Sequence, residues 1–379
     1  MKVLHTISGL SMYGGGPSLS TLLTVKGLRQ IGVEAEILTY SPDVKGDILI
    51  STDAYIHAIE AAHDKRFAYS REYANALHNM TVSAEILHAQ GVWQYPTHVT
   101  AIEACRKGKP YVISLRGMLY PQALKSSAWI KRLSMLLYQR RDLQQAACIH
   151  ATCREEYEFY RQLGFTKPVV VIPNPIEVVD FPPLSFPPQS LVRIGYLGRI
   201  HPRKRIERLL YAMAALGTSA SCCELVVIGG GNKEYEAFLQ SEAERLHLSN
   251  VRFTGFLSGQ EKETALRSLS YLFVPSDFEN FGNIVTEALV RYIPVMASKG
   301  TPWEELNTYR CGWWVDNDVD TIASTMRAAI EMTEEERRAM GERGRQLIIN
   351  HYSVEVVAAQ MKSVYEWLLG GVKPDCVYE

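Results

Sequence analysis

VLHTISGLSMYGGGPSLSTLLTVKGLRQIGVEAEILT, residues 3–39, is the stretch on which the fold class turns. Val3–Ile7 is an apolar run of strand length, broken by Gly14, Gly15, Gly16 and Pro17. Leu19, Leu22, Leu23 and Leu28 then recur at helical spacing, Gly32 stops the helix, and Val33–Thr39 reads as a second strand. A strand, a glycine-rich turn, a helix and another strand in immediate succession predict a parallel, doubly wound sheet.

Brief β-prone runs at 85–88, 111–115, 148–152 and 169–172 continue this grammar between helical stretches. Pro173, Pro175, Pro182, Pro183, Pro187 and Pro188 then interrupt it, because proline supplies neither a regular ladder nor a helix interior. Alternation resumes at 192–198, passes through a helix rich in Ile206, Leu209, Leu210 and Met213, and reaches a strand at 224–228 that ends in Gly229, Gly230 and Gly231. Further strands are predicted at 251–256, 271–275 and 294–297. The expected division is an N-terminal domain over 1–175, a proline-rich linker over 176–190, a second α/β domain over 191–352 and a C-terminal helix over 353–370. Val354, Val357, Ala358, Met361, Val364, Tyr365 and Leu368 share one face of that helix behind Ser353 as N-cap, so it requires an apolar surface to cover.

Composition narrows the class of partner. With 379 residues, 47% hydrophobic and 21% charged, the chain suits two globular domains and excludes wholesale disorder. A formal net charge of −1 supplies no global attraction for nucleic acid, so no nucleic-acid partner is expected. The seven cysteines form no C-x-x-C pair and no zinc-spaced set with histidine, and read as reduced structural thiols. The first residues lack the features of a signal peptide, and no apolar run approaches the ~20 residues of a membrane span. The expected compartment is the cytoplasm.

Chemistry concentrates in Asp277-Phe278-Glu279-Asn280-Phe281-Gly282-Asn283-Ile284-Val285-Thr286-Glu287, which follows a predicted strand and opens a helix near Phe281. Glu279 in the loop and Glu287 two turns into the helix can both face the crevice at the carboxyl ends of the strands. Backbone N–H groups near Phe281, Gly282 and Asn283 would favour a phosphate. The alternative is a solvated helix glutamate and an acidic residue steadied by the macrodipole, worth roughly 0.3 to 1 kcal/mol.

Glu279-Asn280-Phe281-Gly282 followed by Glu287 resembles the E-x7-E motif of retaining glycosyltransferases of family four. Gly198-Arg199 with Lys204 is similar to that family's G-R-x-x-x-x-K turn, Ile172-Pro173-Asn174-Pro175 to its I-P-N-G/P segment, and Val227-Ile228-Gly229-Gly230-Gly231 to its V-G-x-G turn. The likeness spans nearly the whole chain. Ser114-Leu115-Arg116-Gly117-Met118-Leu119 and Gly300-Thr301-Pro302-Trp303-Glu304-Glu305-Leu306 further resemble a subgroup that builds bacterial surface polysaccharides.

The resemblance implies the GT-B fold, two Rossmann-like doubly wound domains facing across a cleft, with the last helix crossing back to the N-terminal domain. It implies a donor nucleotide sugar, UDP- or GDP-linked, and transfer with retention to a hydroxyl of a glycan or lipid-linked acceptor. Arg199 and Lys204 would take the place of a metal at the diphosphate, so no cofactor and no metal are expected. Glu279 would contact the transferred sugar and Glu287 the ribose, with Phe281, Gly282, Asn283, Gly229 and Phe256 completing the donor site. Gly15, Gly16, His88, Arg116 and Asn174 are the acceptor or phosphate candidates in the N-terminal domain. Many relatives carry a functional histidine where this chain has Arg116, so the role of that position is open, as is a buried structural role for His88.

Other features are assigned elsewhere. Asp316-Asn317-Asp318 spells D-x-D, but it precedes a helix beginning near Thr321, where Asp318 or Asp320 serves as N-cap. Arg203 and Arg205 read as surface cations. Residues 125–145 combine Lys125, Lys131, Arg132, Arg140 and Arg141 with Trp129, Ile130, Leu133, Leu136 and Leu137, which fits either peripheral contact with an anionic membrane or a core helix with a basic edge. Residues 331–345 read as a solvated helix laced with charge pairs. Rival functions are a sugar-nucleotide epimerase or phosphorylase of the same fold, an inactive sugar-binding module, and a dinucleotide-dependent oxidoreductase. The last conflicts with Ser11-Met12-Tyr13-Gly14-Gly15-Gly16, which is not G-x-G-x-x-G.

Overall fold

A computed structural model describes residues 1–11, 14–42, 47–60, 66–184 and 191–379. Residues 185–190 of the expected linker, with Pro187 and Pro188, lie outside the described residues, as do Met12 and Tyr13 of the first turn. The chain divides into two compact units, one formed by Met1–Glu177 with Tyr352–Glu379 and the other by Val178–His351.

In the first unit the strands are β1 (Lys2–Thr6), β2 (Glu34–Tyr40), β3 (Ile56–Ile59), β4 (Ile86–Gln90), β5 (Tyr111–Ser114), β6 (Cys148–Ala151) and β7 (Val169–Val171). The second unit holds β8 (Val192–Leu197), β9 (Cys223–Ile228), β10 (Val251–Gly255), β11 (Tyr271–Val274), β12 (Val295–Ser298) and β13 (Gly312–Val315), and the chain returns to the first unit with β14 (Val377–Tyr378). The first sheet runs β14-β7-β6-β5-β4-β1-β2-β3 and the second β10-β9-β8-β11-β12-β13. Every pairing is parallel except β14 with β7. Helices cover such sheets on both faces, which is why β4, β5 and β6 are buried at every position instead of alternating.

Each sheet reverses its strand order once, between β1 and β4 in the first and between β8 and β11 in the second. Loops leaving the carboxyl ends of those neighbours diverge to opposite faces and leave a crevice. Short local signals set the helices up: Ser70, Asn232, Asp318 and Ser353 each cap the backbone N–H three residues on, and Gly108 ends the Tyr95–Lys107 helix at φ 63°.

The Val354–Leu368 helix lies against the Gly16–Gln30 helix within the first unit, its Val357, Ala358, Met361, Val364 and Tyr365 joining a core with Val25, Leu28 and Ile37. Where the chain leaves and re-enters this unit, Ile176 N–H donates to the Tyr352 carbonyl (2.9 Å) and Val354 N–H to the Ile176 carbonyl (3.1 Å).

Residues 331–345 differ from the sequence expectation. The segment splits into the end of the Val319–Glu331 helix and the start of the Glu334–His351 helix, with Thr333 and Glu336 forming a reciprocal cap. Arg337 and Arg345 are buried, and Arg345 donates to the carbonyls of Val290 and Val179 (2.5 and 2.9 Å), so one face of this helix is interior.

A Cβ at Gly27 would lie 2.6 Å from Val354 Cγ1 and 2.9 Å from Ala358 Cβ, so the two helices meet through a missing side chain. Gly27→Leu is expected to destabilise the protein by about 1 to 3 kcal/mol, read as a lower urea midpoint, and an unchanged midpoint would contradict this packing.

Candidate functional site

At the strand-order reversal of the second unit, the loop after β8 carries Gly198, Arg199 and a short 3-10 turn, Pro202–Lys204. Facing it, the loop after β11 carries Ser276 through Gly282. Glu279 is only 8% exposed, and its Oε1 accepts from both Lys204 Nζ and Ser276 Oγ, the latter at 2.7 Å. A carboxylate so placed needs a cation and fixed donors to remain charged. Asp277 N–H donates to the Arg203 carbonyl (3.0 Å), while Asp277 Oδ2 and Oδ1 accept from Arg205 (2.5 Å) and Arg208 (3.1 Å). Arg205 is thus a brace between the loops, where the sequence suggested a bare surface cation. Arg199 is exposed and makes no ion pair among the described residues.

The Glu279 loop is pinned from behind by the segment that follows β12. Glu279 N–H donates to the Gly300 carbonyl (2.9 Å), and Ser298 Oγ to the Ser276 carbonyl (2.5 Å). A Cβ on Gly300 would sit 2.3 Å from the Asp277 carbonyl oxygen, so only glycine permits the approach. Trp303, fully buried, donates its indole N–H to the Phe281 carbonyl (2.5 Å) and packs edge-on against the Phe281 ring at 5.3 Å. Gly282 takes φ 81° just before the Asn283–Leu289 helix. That helix is seven residues long, so its dipole is weaker than a longer helix would supply.

Glu287, on this helix, pairs with Lys262 of the Gly259–Arg267 helix at 2.5 Å, and shares no bonded partner with Glu279 among the described residues. Gly229, at φ 149°, stands where a Cβ would meet the Gly198 carbonyl oxygen at 1.9 Å. Gly198 N–H to the Ile228 carbonyl (3.0 Å) and Ile200 N–H to the Gly230 carbonyl (3.1 Å) join these two turns. Phe256 is 67% exposed just past β10, beside Gly230. Lys204 and Glu279 therefore touch, with Arg199, Gly229, Phe281 and Gly282 on the same or adjoining loops. Lys262, Ser276, Asp277 and Gly300 were missed, because no spacing rule marks a residue that acts by holding another.

The first unit places His88 differently from a ligand contact. It is 1% exposed, with Nδ1 on the Tyr365 hydroxyl (2.6 Å) and Nε2 on Ser114 Oγ (2.7 Å). Ser114 Oγ also meets His150 Nδ1 (2.7 Å), and His150 Nε2 meets the Ile172 carbonyl (2.9 Å). Tyr365 further meets His5 Nε2 (3.1 Å), and His5 Nδ1 meets the Gln90 amide nitrogen (3.2 Å). The direction is forced from one end: a carbonyl only accepts, so His150 carries its proton on Nε2 and Ser114 must donate to Nδ1. It follows that His88 donates from Nε2, Tyr365 donates to His88, and His5 donates to Tyr365. With neither ring nitrogen free, His88 is a link in a buried chain and not an acceptor contact.

Gln90 Oε1, at the far end, accepts from Arg116 Nε (3.0 Å) and Nη2 (2.6 Å), and Asn174 Oδ1 accepts from Arg116 Nη1 (2.6 Å). Burial, and next the Arg116 charge, push His150 down to about 3, and burial holds His5 at about 3 and His88 well below its ordinary value. A cavity of about 330 Å³ opens at the strand-order reversal of this unit, with Ser8, Gly14, Ser18, Gln90 and Arg116 on its wall. Gly14 and Pro17 line it rather than Gly15 and Gly16.

Asp318 caps the Val319–Glu331 helix, accepting from Thr321 N–H (2.8 Å) and Oγ1 (2.7 Å), and Asp316 pairs with Lys299. The D-x-D triplet follows β13, an edge strand that the sequence reading did not anticipate. The stretch 128–145 is a surface helix with one π turn at Met135–Gln139, and Trp129, Leu136 and Leu137 are 71%, 81% and 69% exposed. Among the described residues no helix is long and apolar enough to cross a membrane.

A family model for glycosyl transferases group 1 matches residues 186–347, and one for a glycosyl transferase 4-like domain matches residues 15–175. The chain is 28% identical over 191 residues to a GDP-mannose-dependent alpha-mannosyltransferase of Mycolicibacterium smegmatis, covering 49% of this chain and 46% of that protein. It is 27% identical over 207 residues to a GDP-mannose-dependent alpha-(1-6)-phosphatidylinositol dimannoside mannosyltransferase of Mycobacterium tuberculosis, covering 52% and 51%. The chain spans about half the length of these curated relatives. Among solved structures, sucrose-phosphate synthase from Thermosynechococcus elongatus matches with a TM-score of 0.76 at 18% identity, over 97% of this chain and 99% of that one. Anabaena HepE in complex with UDP matches at 0.75 and 16%, over 97% and 100%. These neighbours share the GT-B fold.

The histidine chain has a pH signature. Folded values of about 3 for His5 and His150 lie below the ordinary 6.5, so the unfolded chain takes up more protons as the pH falls. Their contribution is complete above about pH 6.5 and is lost progressively toward pH 3, by about 1.4 kcal/mol per pH unit for each group. Urea midpoints should drop between pH 7 and pH 5, and nitrogen-15 spectra should show all three rings neutral with the proton on Nε2. A protonated or Nδ1–H ring at pH 7 would break the assignment.

Proposed function

This chain belongs to the family-four, group 1 glycosyltransferases of the GT-B fold, and on that premise we propose that it moves a hexose-type unit from a UDP- or GDP-sugar to a hydroxyl of a glycan or lipid-linked acceptor, with retention and without a metal. The observation that carries this reading is the contact between Lys204 and Glu279 at the strand-order reversal, beside the exposed Arg199, which makes no ion pair among the described residues. Departure of a nucleoside diphosphate builds negative charge on a phosphate oxygen, and cations already in position lower that barrier without reorganising. Arg199 offers a planar fork and Lys204 a point charge. In this reading Glu279 orients the lysine and meets hydroxyls of the sugar, so one carboxylate aligns both sides of the breaking bond.

Glu287 is assigned to the ribose, and Phe256 and Gly229 to the nucleoside and the phosphate turn. The short helix after Gly282 and the N–H groups of Phe281 and Asn283 add to the anion-binding character of the loop. Neither glutamate acts as nucleophile: the leaving phosphate takes the acceptor's proton on the face from which it departs. The first unit takes the acceptor, with Arg116, Gly14 and Ser18 on the cavity wall as candidate contacts, Asn174 holding Arg116 from behind, and a surface-polysaccharide or other glycan as the product class. Relatives named for GDP-mannose make that donor the first to test, and the UDP complex of HepE keeps UDP-sugars beside it.

Exposed Trp129, Leu133, Leu136 and Leu137 recur at helical spacing, flanked by Lys125, Arg132, Arg140 and Arg141. Asp142 on the same helix is buried against His98. A stripe of this charge and exposure fits peripheral binding to an anionic lipid surface, where a lipid-linked acceptor would reside.

Lys204→Ala and Glu279→Ala are each expected to lower kcat by ~10²-fold or more, with chelation of divalent ions leaving the rate unchanged. Near-normal turnover in both variants, or dependence on manganese, would overturn the site. Binding to vesicles containing phosphatidylglycerol should weaken with salt and fall at least tenfold in a Trp129→Ser, Leu136→Ser double variant, about what removing two buried apolar side chains predicts. Vesicle binding that ignores both changes would remove the membrane reading.

A further inference from the structure

Arg116 is a half-buried cation whose hydrogen-bond partners are neutral. Gln90 Oε1 takes two of its N–H groups and Asn174 Oδ1 a third. Among the described residues it makes no ion pair, and the Glu156 carboxylate spends its oxygens on the backbone N–H groups of Gly117 and Thr152 and on the Thr152 hydroxyl. Guanidinium has five N–H donors, so one remains on each terminal nitrogen, a pair that suits an oxyanion. Arg116 also holds φ 55°, and Gly117 beside it 73°, a left-handed turn that a non-glycine residue adopts at a cost. A guanidinium half-desolvated in a strained turn, with the Glu156 carboxylate near enough to act on its charge but hydrogen-bonded elsewhere, bears a penalty that a directly bonded anion would relieve.

The histidine chain explains how the group stays aimed. Every donor in it points toward the Ile172 carbonyl, so Gln90 must turn its amide nitrogen to His5 and its oxygen to Arg116. Asn174 stands two residues beyond Ile172, so both flanks of the guanidinium are referred to the end of β7 and its neighbours. Arg116 lines the cavity of about 330 Å³, where among the described residues Asp47 is the other charged one and serine hydroxyls and glycine backbone make up much of the wall. That lining suits a sugar carrying one acidic group better than a wholly neutral or a polyanionic ligand.

We propose that this cavity binds an oxyanion, phosphate or carboxylate, borne by the acceptor, and that Arg116 is the residue that selects for it. The inference rests on the assignment of the first unit to the acceptor and specifies the acceptor's charge. The serine hydroxyls meet neutral hydroxyls of the same sugar, and Tyr365 and His88 are positioning residues that act through Gln90.

The test is calorimetric titration with glucose, glucuronate, glucose 6-phosphate and inorganic phosphate, at saturating UDP or GDP so that the donor site is filled. At least one of the charged probes should bind at least about tenfold more tightly than glucose, and the charged probe that does so identifies the source as carboxylate or phosphate. Arg116→Gln should abolish that preference, and Arg116→Lys, which keeps the charge without the fork, should retain part of it. Retained nucleotide affinity and the same three neutral histidine signals would show that both variants are folded. Equal binding of glucose and every charged probe, or an unchanged preference in Arg116→Gln, overturns the proposal. Failure of UDP and GDP alike to bind would instead strike the donor reading, and the comparison of charged and neutral probes would still be read without nucleotide.

Discussion

Glu279 is a carboxylate drawn into the protein at the point where two loops meet, and the geometry of the second unit follows from keeping it charged there. Lys204 supplies the opposite charge from the loop after β8, Ser276 a hydroxyl from its own loop, and Gly300 a carbonyl that fixes the backbone. Removing one partner from such a pair strands the other, at a cost of about 3 to 5 kcal/mol, so the loops are held to each other by electrostatics rather than by packing alone. Gly198, Gly229 and Gly300 allow the backbones to come within touching distance, and Arg205 with Asp277 ties the same loops a second time.

The first unit solves a related problem with neutral groups. Its interior polar chain has no net charge until it reaches Arg116, and each link accepts on one side and donates on the other. Such a chain has one low-energy polarity because its last acceptor is a backbone carbonyl, so order at Ile172 is transmitted to Gln90 without any side chain moving. The second unit thus fixes its polar groups through an ion pair between loops, and the first through the tautomers of a chain inside its sheet.

Much of this was legible in the residues. The strand–glycine turn–helix–strand opening led directly to β1, the Gly16–Gln30 helix and β2, and the Glu279 to Glu287 spacing placed one glutamate in a loop and the other in a helix. The strands β3, β13 and β14 were not anticipated: each is a sheet edge, short and only partly buried, so apolar patterning is weakest where half the neighbours are missing. His88 was read toward the ligand because a histidine at a strand end looks the same whether its ring faces a crevice or a second histidine. Arg337 and Arg345 looked solvated because charge suggests surface, yet long stems let both enter the interior, Arg337 against the Glu334 carboxylate and Arg345 on backbone carbonyls. Local periodicity carries element type, whereas the identity of a side chain's partner across 277 positions, as for His88 and Tyr365, has no local trace.

Tyr365 and the helix that carries it belong to the first unit but are synthesised after the whole of the second. At ribosomal speeds of about 5 to 20 residues per second, residues 178–351 occupy roughly 10 to 35 s, during which His5 and His88 have emerged without their hydroxyl partner and the Gly16–Gln30 helix has no helix to cover it. The second unit can complete its core as it leaves the exit tunnel, so the order of maturation is inverted relative to the order of translation. The nascent first unit is consequently the natural client for a chaperone, and a ribosome stalled before it reaches Tyr365 leaves that unit without its closing element.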